Sequence, residues 1–349
     1  MSSKFNLLLE SLKCGKVISE FFDSNVSLRT QFEDTYFIKE EVECFFKSLN
    51  IIDYKIQEER KDFSYSFYNV NMNYLYNGQQ FEHDLLFKVF SDGYRILKIY
   101  ITIDKNVKSK RIKCVVSYDG SKFFGYQKQL LQNSVQANIE KVLTDIHQVE
   151  TTIYSSGRTD RGVHAINQIF HFDTTLDIEP LKWKSILNTY LCDYIYVKET
   201  VIVDKTFHSR FDTVSKEYCY KINTKEYNPI QKDYELFVEN IDVLVFSEQA
   251  SKLIGQHDFR SFAKIDSKKN TIRTIYDCRV VLKDDYLYFY IKGNGFMRYM
   301  VRNIVGALID ISTGKSNVDI LDIVASKSRH SAKNTAFAGG LYLNEVKYN

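Results

Sequence analysis

The chain has 349 residues, 44% hydrophobic and 26% charged, which suits two or three globular domains. No stretch approaches the ~18 consecutive apolar residues of a membrane span, and the six cysteines at 14, 44, 114, 192, 219 and 278 include no C-x-x-C pair, which argues against a zinc ribbon and a disulfide scaffold. The formal charge of +3 is uneven: residues 1–105 carry 13 Lys/Arg against 16 Asp/Glu, whereas 106–349 carry 34 against 28, so the later part suits a polyanionic partner.

Met1 to Phe5 leads into an amphipathic segment, not an apolar signal core, so a soluble cytoplasmic protein is expected. Phe5 to Phe22 has helical spacing, with Leu8, Leu12, Val17 and Phe21 near one face. A second helix is predicted over Lys39 to Leu49. Alternating aromatic segments at Phe63–Tyr68, Leu85–Phe90 and Tyr94–Ile103 predict strands. Two helices followed by a sheet faintly resemble an NTF2-like cone, and no catalytic constellation is visible there. The polar, basic run Asp104–Arg111 marks a boundary, giving an extra domain over 1–105 of unassigned role and a second domain over 110–349.

Beyond the boundary, Lys113–Tyr118 predicts a strand ending at Asp119-Gly120. Ser134 is placed to cap a helix whose apolar face is Val135, Ile139, Val142, Leu143 and Ile146. Gln168–Phe172 predicts a strand. Lys216–Ile222 alternates, with Tyr218, Tyr220 and Ile222 on one face and Glu217, Cys219 and Lys221 on the other. Thr274–Leu282 and Tyr286–Lys292 predict two strands joined by a short turn, and a helix from about Phe296 to Thr313 is stopped by Gly314. Strands outnumber helices and several are joined by short turns, so the class is α+β with a mainly antiparallel sheet.

The segment Ser156-Gly157-Arg158-Thr159-Asp160-Arg161-Gly162-Val163-His164-Ala165 has no helical or strand period and reads as a structured loop. An aspartate between arginines in such a loop is also what a salt-bridged turn looks like. Gly157 to Ala165, however, resembles the catalytic loop of the TruA-type tRNA pseudouridine synthases, G-R-T-D-x-G-V-H-A. Tyr118-Asp119-Gly120 through Gly125-Tyr126-Gln127, Ser134-Val135-Gln136 and Phe207-His208-Ser209-Arg210-Phe211 resemble further motifs of that family. So do Lys216-Glu217-Tyr218-Cys219-Tyr220, His257-Asp258-Phe259, Gly295-Phe296-Met297 through Gly306, and Gly340-Leu341-Tyr342-Leu343. They follow the family's order across residues 112–346. The chain departs from the pattern at Tyr126, where the family has Trp, at Arg161, commonly Ala, and at Gly339 or Gly340, where an acidic residue is usual.

The resemblance implies the pseudouridine synthase fold: two α/β halves, about 110–212 and 213–349, whose sheets merge around a cleft. It implies a homodimer acting on tRNA, at uridines near positions 38–40 of the anticodon stem-loop. It also implies Asp160 as the catalytic carboxylate, with Arg302 as its charge partner. Tyr218 would stack on the extruded uracil, and Arg158 would fill the vacated stack or grip a phosphate. Arg210 would bind substrate, and Leu341 or Tyr342 would form a pocket wall. Because pseudouridine is an isomer of uridine, the reaction requires no metal or other cofactor. His164 and His171 are seven residues apart, which is no recognised ligand spacing, and His164 suits a loop-stabilising hydrogen bond. Two other readings share these motifs: an RNA-binding protein that kept the fold without the chemistry, and a synthase acting on another RNA.

Overall fold

The computed structural model describes residues 4–14, 16, 18–30, 42, 46, 50–62, 65–76, 79–91, 96–103, 109–130, 132–264 and 270–348. The chain divides into two compact units, 1–109 and 110–349.

In the first unit, helix α1 (Lys4–Lys13) is shorter than its sequence period predicts. A 3₁₀ turn at Ser19–Phe21 follows, and Phe22 then enters strand β1 (Phe22–Thr30), which the sequence reading did not anticipate. The helix predicted over 39–49 lies outside the described residues except for Val42 and Phe46, both buried. Strands β2 (Ile51–Asp62), β3 (Tyr65–Tyr76), β4 (Gln79–Ser91) and β5 (Ile96–Ile103) complete a five-stranded sheet in the order β1-β5-β4-β3-β2. The β1–β5 pair is parallel and the others are antiparallel. Phe5, Leu8 and Leu9 of α1 are buried, and the Phe5 ring lies 4.4 Å from Tyr68 and 4.8 Å from Phe87. That buried face, not intrinsic propensity, stabilises so short a helix.

The second unit is built on one ten-stranded sheet. Its elements in chain order are β6 (Lys110–Tyr118), α2 (Val135–His147), β7 (Tyr154–Ser155), β8 (His164–Thr174), α3 (Pro180–Tyr190) and β9 (Ile195–Val203). Then follow β10 (Thr213–Asn223), β11 (Leu236–Phe237), α4 (Val243–Ser251), β12 (Gly255–Asp258), β13 (Ile272–Lys283) and β14 (Tyr286–Gly293). Helices α5 (Met300–Ser312) and α6 (Ile320–Ser326) precede the last strand, β15 (Leu341–Tyr348). The strand order is β12-β13-β14-β10-β15-β8-β6-β9, with β11 beside β10 and β7 beside β8.

The pairs are antiparallel except β10–β11 and β15–β8. The second of these is the seam where the sheet of one half meets that of the other, with Tyr342 opposite His164 and Leu343 opposite Ala165. The fold is thus α+β with a merged, mainly antiparallel sheet, as the motifs imply.

Ser134 caps α2 by accepting the Ala137 N–H at 3.3 Å. Val135, Ile139 and Leu143 are buried, with Val142 and Ile146 packed against the same core. Helix α5 differs from expectation at its start. It begins at Met300, not near Phe296, because Tyr299 takes a left-handed backbone (φ 64°) that breaks the helical run. Gly314, at φ 71°, ends it as predicted.

Candidate active site

The Asp160 loop joins β7 to β8 and is fixed from several directions. Ser156 donates its N–H to Ile169 O (2.8 Å) and its hydroxyl to Gln168 Oε1 (2.5 Å), while Gln168 Nε2 donates to Gly157 O (2.9 Å). Thr159 is held through its hydroxyl by Tyr118 Oη (2.8 Å) and through its carbonyl by the Tyr126 N–H (3.1 Å). The Val163 N–H closes the turn onto Asp160 O at 3.1 Å. The Asp119-Gly120 turn packs so closely on this loop that a Cβ at Gly120 would lie 2.0 Å from Val163 O.

His164 ties the same two segments. Its Nδ1 accepts the Gly120 N–H at 3.0 Å, so the proton sits on Nε2, which donates to Asp233 O at 3.0 Å. Burial lowers its pKa and keeps it neutral, so the Asp119 oxygen 3.2 Å away is a neighbour and not a salt-bridge partner. Among the described residues, no three His, Cys, Asp or Glu side chains are grouped to hold a metal ion.

Around Asp160 the structure brings together Arg302 and Tyr218, and adds Arg298. Arg302 Nη1 lies 3.8 Å from Asp160 Oδ2, and Arg298 Nε lies 3.9 Å from Oδ1. Arg302 is anchored by its Nε donating to Ala336 O (2.8 Å); Arg298 is 62% exposed and donates to the Tyr299 hydroxyl (3.0 Å). Burial raises the Asp160 pKa, and Arg302 and then Arg298 pull it back without cancelling the rise. Tyr218 is buried on β10 with its ring edge-on to Phe296 at 5.2 Å. Its own pKa is raised by burial, by Tyr118 and by the charge of Asp160.

Other predicted site residues fall elsewhere. Arg158 is exposed two positions before Asp160. Arg210 is half-buried, and its charge bears on Lys216 and not on Asp160. Leu341 is buried opposite Tyr220, on the sheet face that carries Tyr218. Tyr342 points to the other face, stacks on His164 at 4.7 Å and donates to Tyr234 O, which removes it as an alternative wall. Gly340 stands where the family has an acidic residue or beside it, and a Cβ there would lie 2.8 Å from the Tyr220 ring. The sequence reading missed Arg298, and its spacing from Arg302 is no helical signal, because the left-handed Tyr299 lies between them.

A model described as tRNA pseudouridine synthase matches residues 114–212 and 250–349. The tRNA pseudouridine synthase A of Geobacillus sp. (strain WCH70) is 40% identical over 252 residues, which span 69% of this chain and 99% of that protein. Its namesake in Bacillus pumilus (strain SAFR-032) is 42% identical over 244 residues, 68% of this chain and 99% of that protein. The one in Staphylococcus aureus (strain MRSA252) is 39% identical over 240 residues, 68% and 91% of the two chains.

An α+β unit with a merged sheet and one carboxylate between two guanidiniums at its centre therefore has a family. This chain belongs to the tRNA pseudouridine synthases. A solved NTF2-like protein of unknown function from Cytophaga hutchinsonii is also similar, at 9% identity and a TM-score of 0.26 over 30% of this chain and 92% of that one, too slight a likeness to carry weight.

Proposed function

We propose that this chain isomerises uridine to pseudouridine in the anticodon stem-loop of tRNA, near positions 38–40, with Asp160 as its catalytic carboxylate. The observation that carries the reading is the carboxylate itself, half-buried yet flanked by Arg302 and Arg298 at 3.8 and 3.9 Å. A buried carboxylate without cations would take up a proton, and one paired through ideal hydrogen bonds would be inert. Contacts near 4 Å favour the charged form while leaving its oxygens open to a ribose.

The C1′–N1 bond breaks, the uracil turns, and a C1′–C5 bond forms. C5 then loses a proton and N1 gains one, so substrate and product have the same atoms and no electrons are transferred. The target base must first leave its stack, at a cost of a few kcal/mol. Tyr218 supplies a ring for the extruded base, worth roughly 1–3 kcal/mol. Leu341 lines the same sheet face. Arg158, exposed beside Asp160, meets the vacated stack or a phosphate, and Arg210, whose charge bears on Lys216, supports RNA binding.

A homodimer, which the resemblance implies and light scattering tests, and a cytoplasmic site of action, where a tRNA substrate would be met, belong to the same proposal. The helix against a five-stranded sheet in residues 1–109 supports an NTF2-like domain there.

Asp160→Asn tests the central claim. Under single-turnover conditions with an unmodified tRNA transcript, the variant should bind the RNA and lose at least about four orders of magnitude in rate. Activity within a hundredfold of wild type would sink the assignment. Loss of binding together with activity would make Asp160 a residue that merely shapes its loop. Mapping the product by carbodiimide-dependent reverse-transcription stops separates the anticodon arm from other RNA targets.

A further inference from the structure

Lys216 stands two residues before Tyr218 on β10, and the proposed chemistry makes no use of it. Its ammonium points inward, and Nζ donates to the Ser156 carbonyl, where β7 runs into the Asp160 loop. Residue 157 leaves room for that bond because it has no side chain: a Cβ on Gly157 would lie 2.8 Å from Nζ. Among the described residues, no carboxylate acts on this amine, and the charge that does is the like charge of Arg210. A cation withdrawn from water beside another cation is costly, and a carbonyl compensates only in part. Burial first, then Arg210, lowers the Lys216 pKa to about 8. An arrangement this unfavourable for the lysine calls for a return elsewhere in the molecule.

We propose that Lys216 is a positioning residue: its bond to Ser156 locks the loop carrying Arg158 and Asp160 against the strand carrying Tyr218. The proposal rests on the reading of Asp160 and Tyr218 given above. Charge-assisted hydrogen bonds are roughly twice as strong as neutral ones, so the grip is firm only while the amine is protonated. A displacement of about 1 Å in a reacting group can cost on the order of 100-fold in rate.

The test uses the full chain with Lys216→Met, Lys216→Arg and Gly157→Ala, measuring kcat, KM and thermal midpoint with an unmodified tRNA transcript. Lys216→Met should lower kcat by about 30- to 100-fold with KM changed by less than about threefold. Gly157→Ala, which keeps the lysine but obstructs its amine, should move kcat the same way. Lys216→Arg should recover most of the loss. The wild type should decline in kcat as pH rises through about 8, and Lys216→Arg should lack that decline, because a guanidinium keeps its proton there.

A kcat within threefold of wild type for a folded Lys216→Met would overturn the proposal. If that variant does not fold, an unchanged kcat in Gly157→Ala together with identical alkaline limbs in wild type and Lys216→Arg overturns it equally. Absence of pseudouridine from the wild-type reaction would remove the functional reading and this role with it. An active wild type beside an unaffected Lys216→Met removes this role alone.

Discussion

Arg302 is held at a fixed distance from Asp160: its Nε is committed to the Ala336 carbonyl at 2.8 Å, which leaves Nη1 3.8 Å from Oδ2. Arg298 faces the other oxygen from a side chain that is 62% exposed, against 15% for Arg302. The two cations are therefore unequal. Arg302→Met should lower product formation by about 100- to 1,000-fold at neutral pH and move the acid limb of the rate upward, since the raised Asp160 pKa loses its stronger brake. Arg298→Gln should cost no more than about tenfold, because solvent screens its contribution. Rates across a pH series for both variants check the order, and equal losses would contradict it.

The same carboxylate has a stability signature. Its pKa is raised in the folded protein above the usual 3.8, so the stability it contributes is present below that value and is lost as pH rises through the folded pKa. Asp160→Asn, which cannot ionise, should melt above wild type at pH 7. The gap should close as the pH falls below about 4, where both side chains are neutral. Thermal midpoints at the two pH values decide the sign. A variant less stable at pH 7 would mean that the arginines outweigh burial.

Tyr218 has a buried ring edge-on to Phe296, and no hydrogen bond to its hydroxyl is found among the described residues. Tyr218→Phe should therefore leave stability within about 0.5 kcal/mol and tRNA binding unchanged, so that any slowing of turnover reports on the hydroxyl in the reaction itself. Tyr218→Leu should lose base stacking as well, turning over more slowly than the Phe variant. Near-wild-type rates in both would reduce Tyr218 to a core residue of its strand.

The two units have separate hydrophobic cores, one around Phe5, Phe22 and Phe87, the other around Phe170, Trp183, Tyr220 and Phe289. The family match begins at residue 114, within the second unit. A chain starting at Ser109 should fold and form pseudouridine at a rate within about tenfold of the full protein, since its core is complete. A folded, inactive truncation would bring the first unit into the RNA site.

The candidate loop was legible in the sequence because it is local. Gly157 to Ala165 is contiguous, the Ser134 cap and the alternation of β10 are short-range patterns, and each motif carries its own geometry. Periodicity was also enough for the α+β class.

What tertiary structure decided is which distant groups meet. The period of residues 5–22 shows an apolar face, but it does not show that pairing with β5 draws Phe22 into a strand. Helical spacing through Phe296–Arg302 hides the left-handed Tyr299, where the helical run breaks before Arg298. Lys216 reads as one charged position in an alternating strand, and only the fold shows its amine on the Ser156 carbonyl, 60 residues away. A pattern along the chain reports which side chains leave water. The partner each one finds depends on strand order, and the charge it acquires there depends on what that partner excludes.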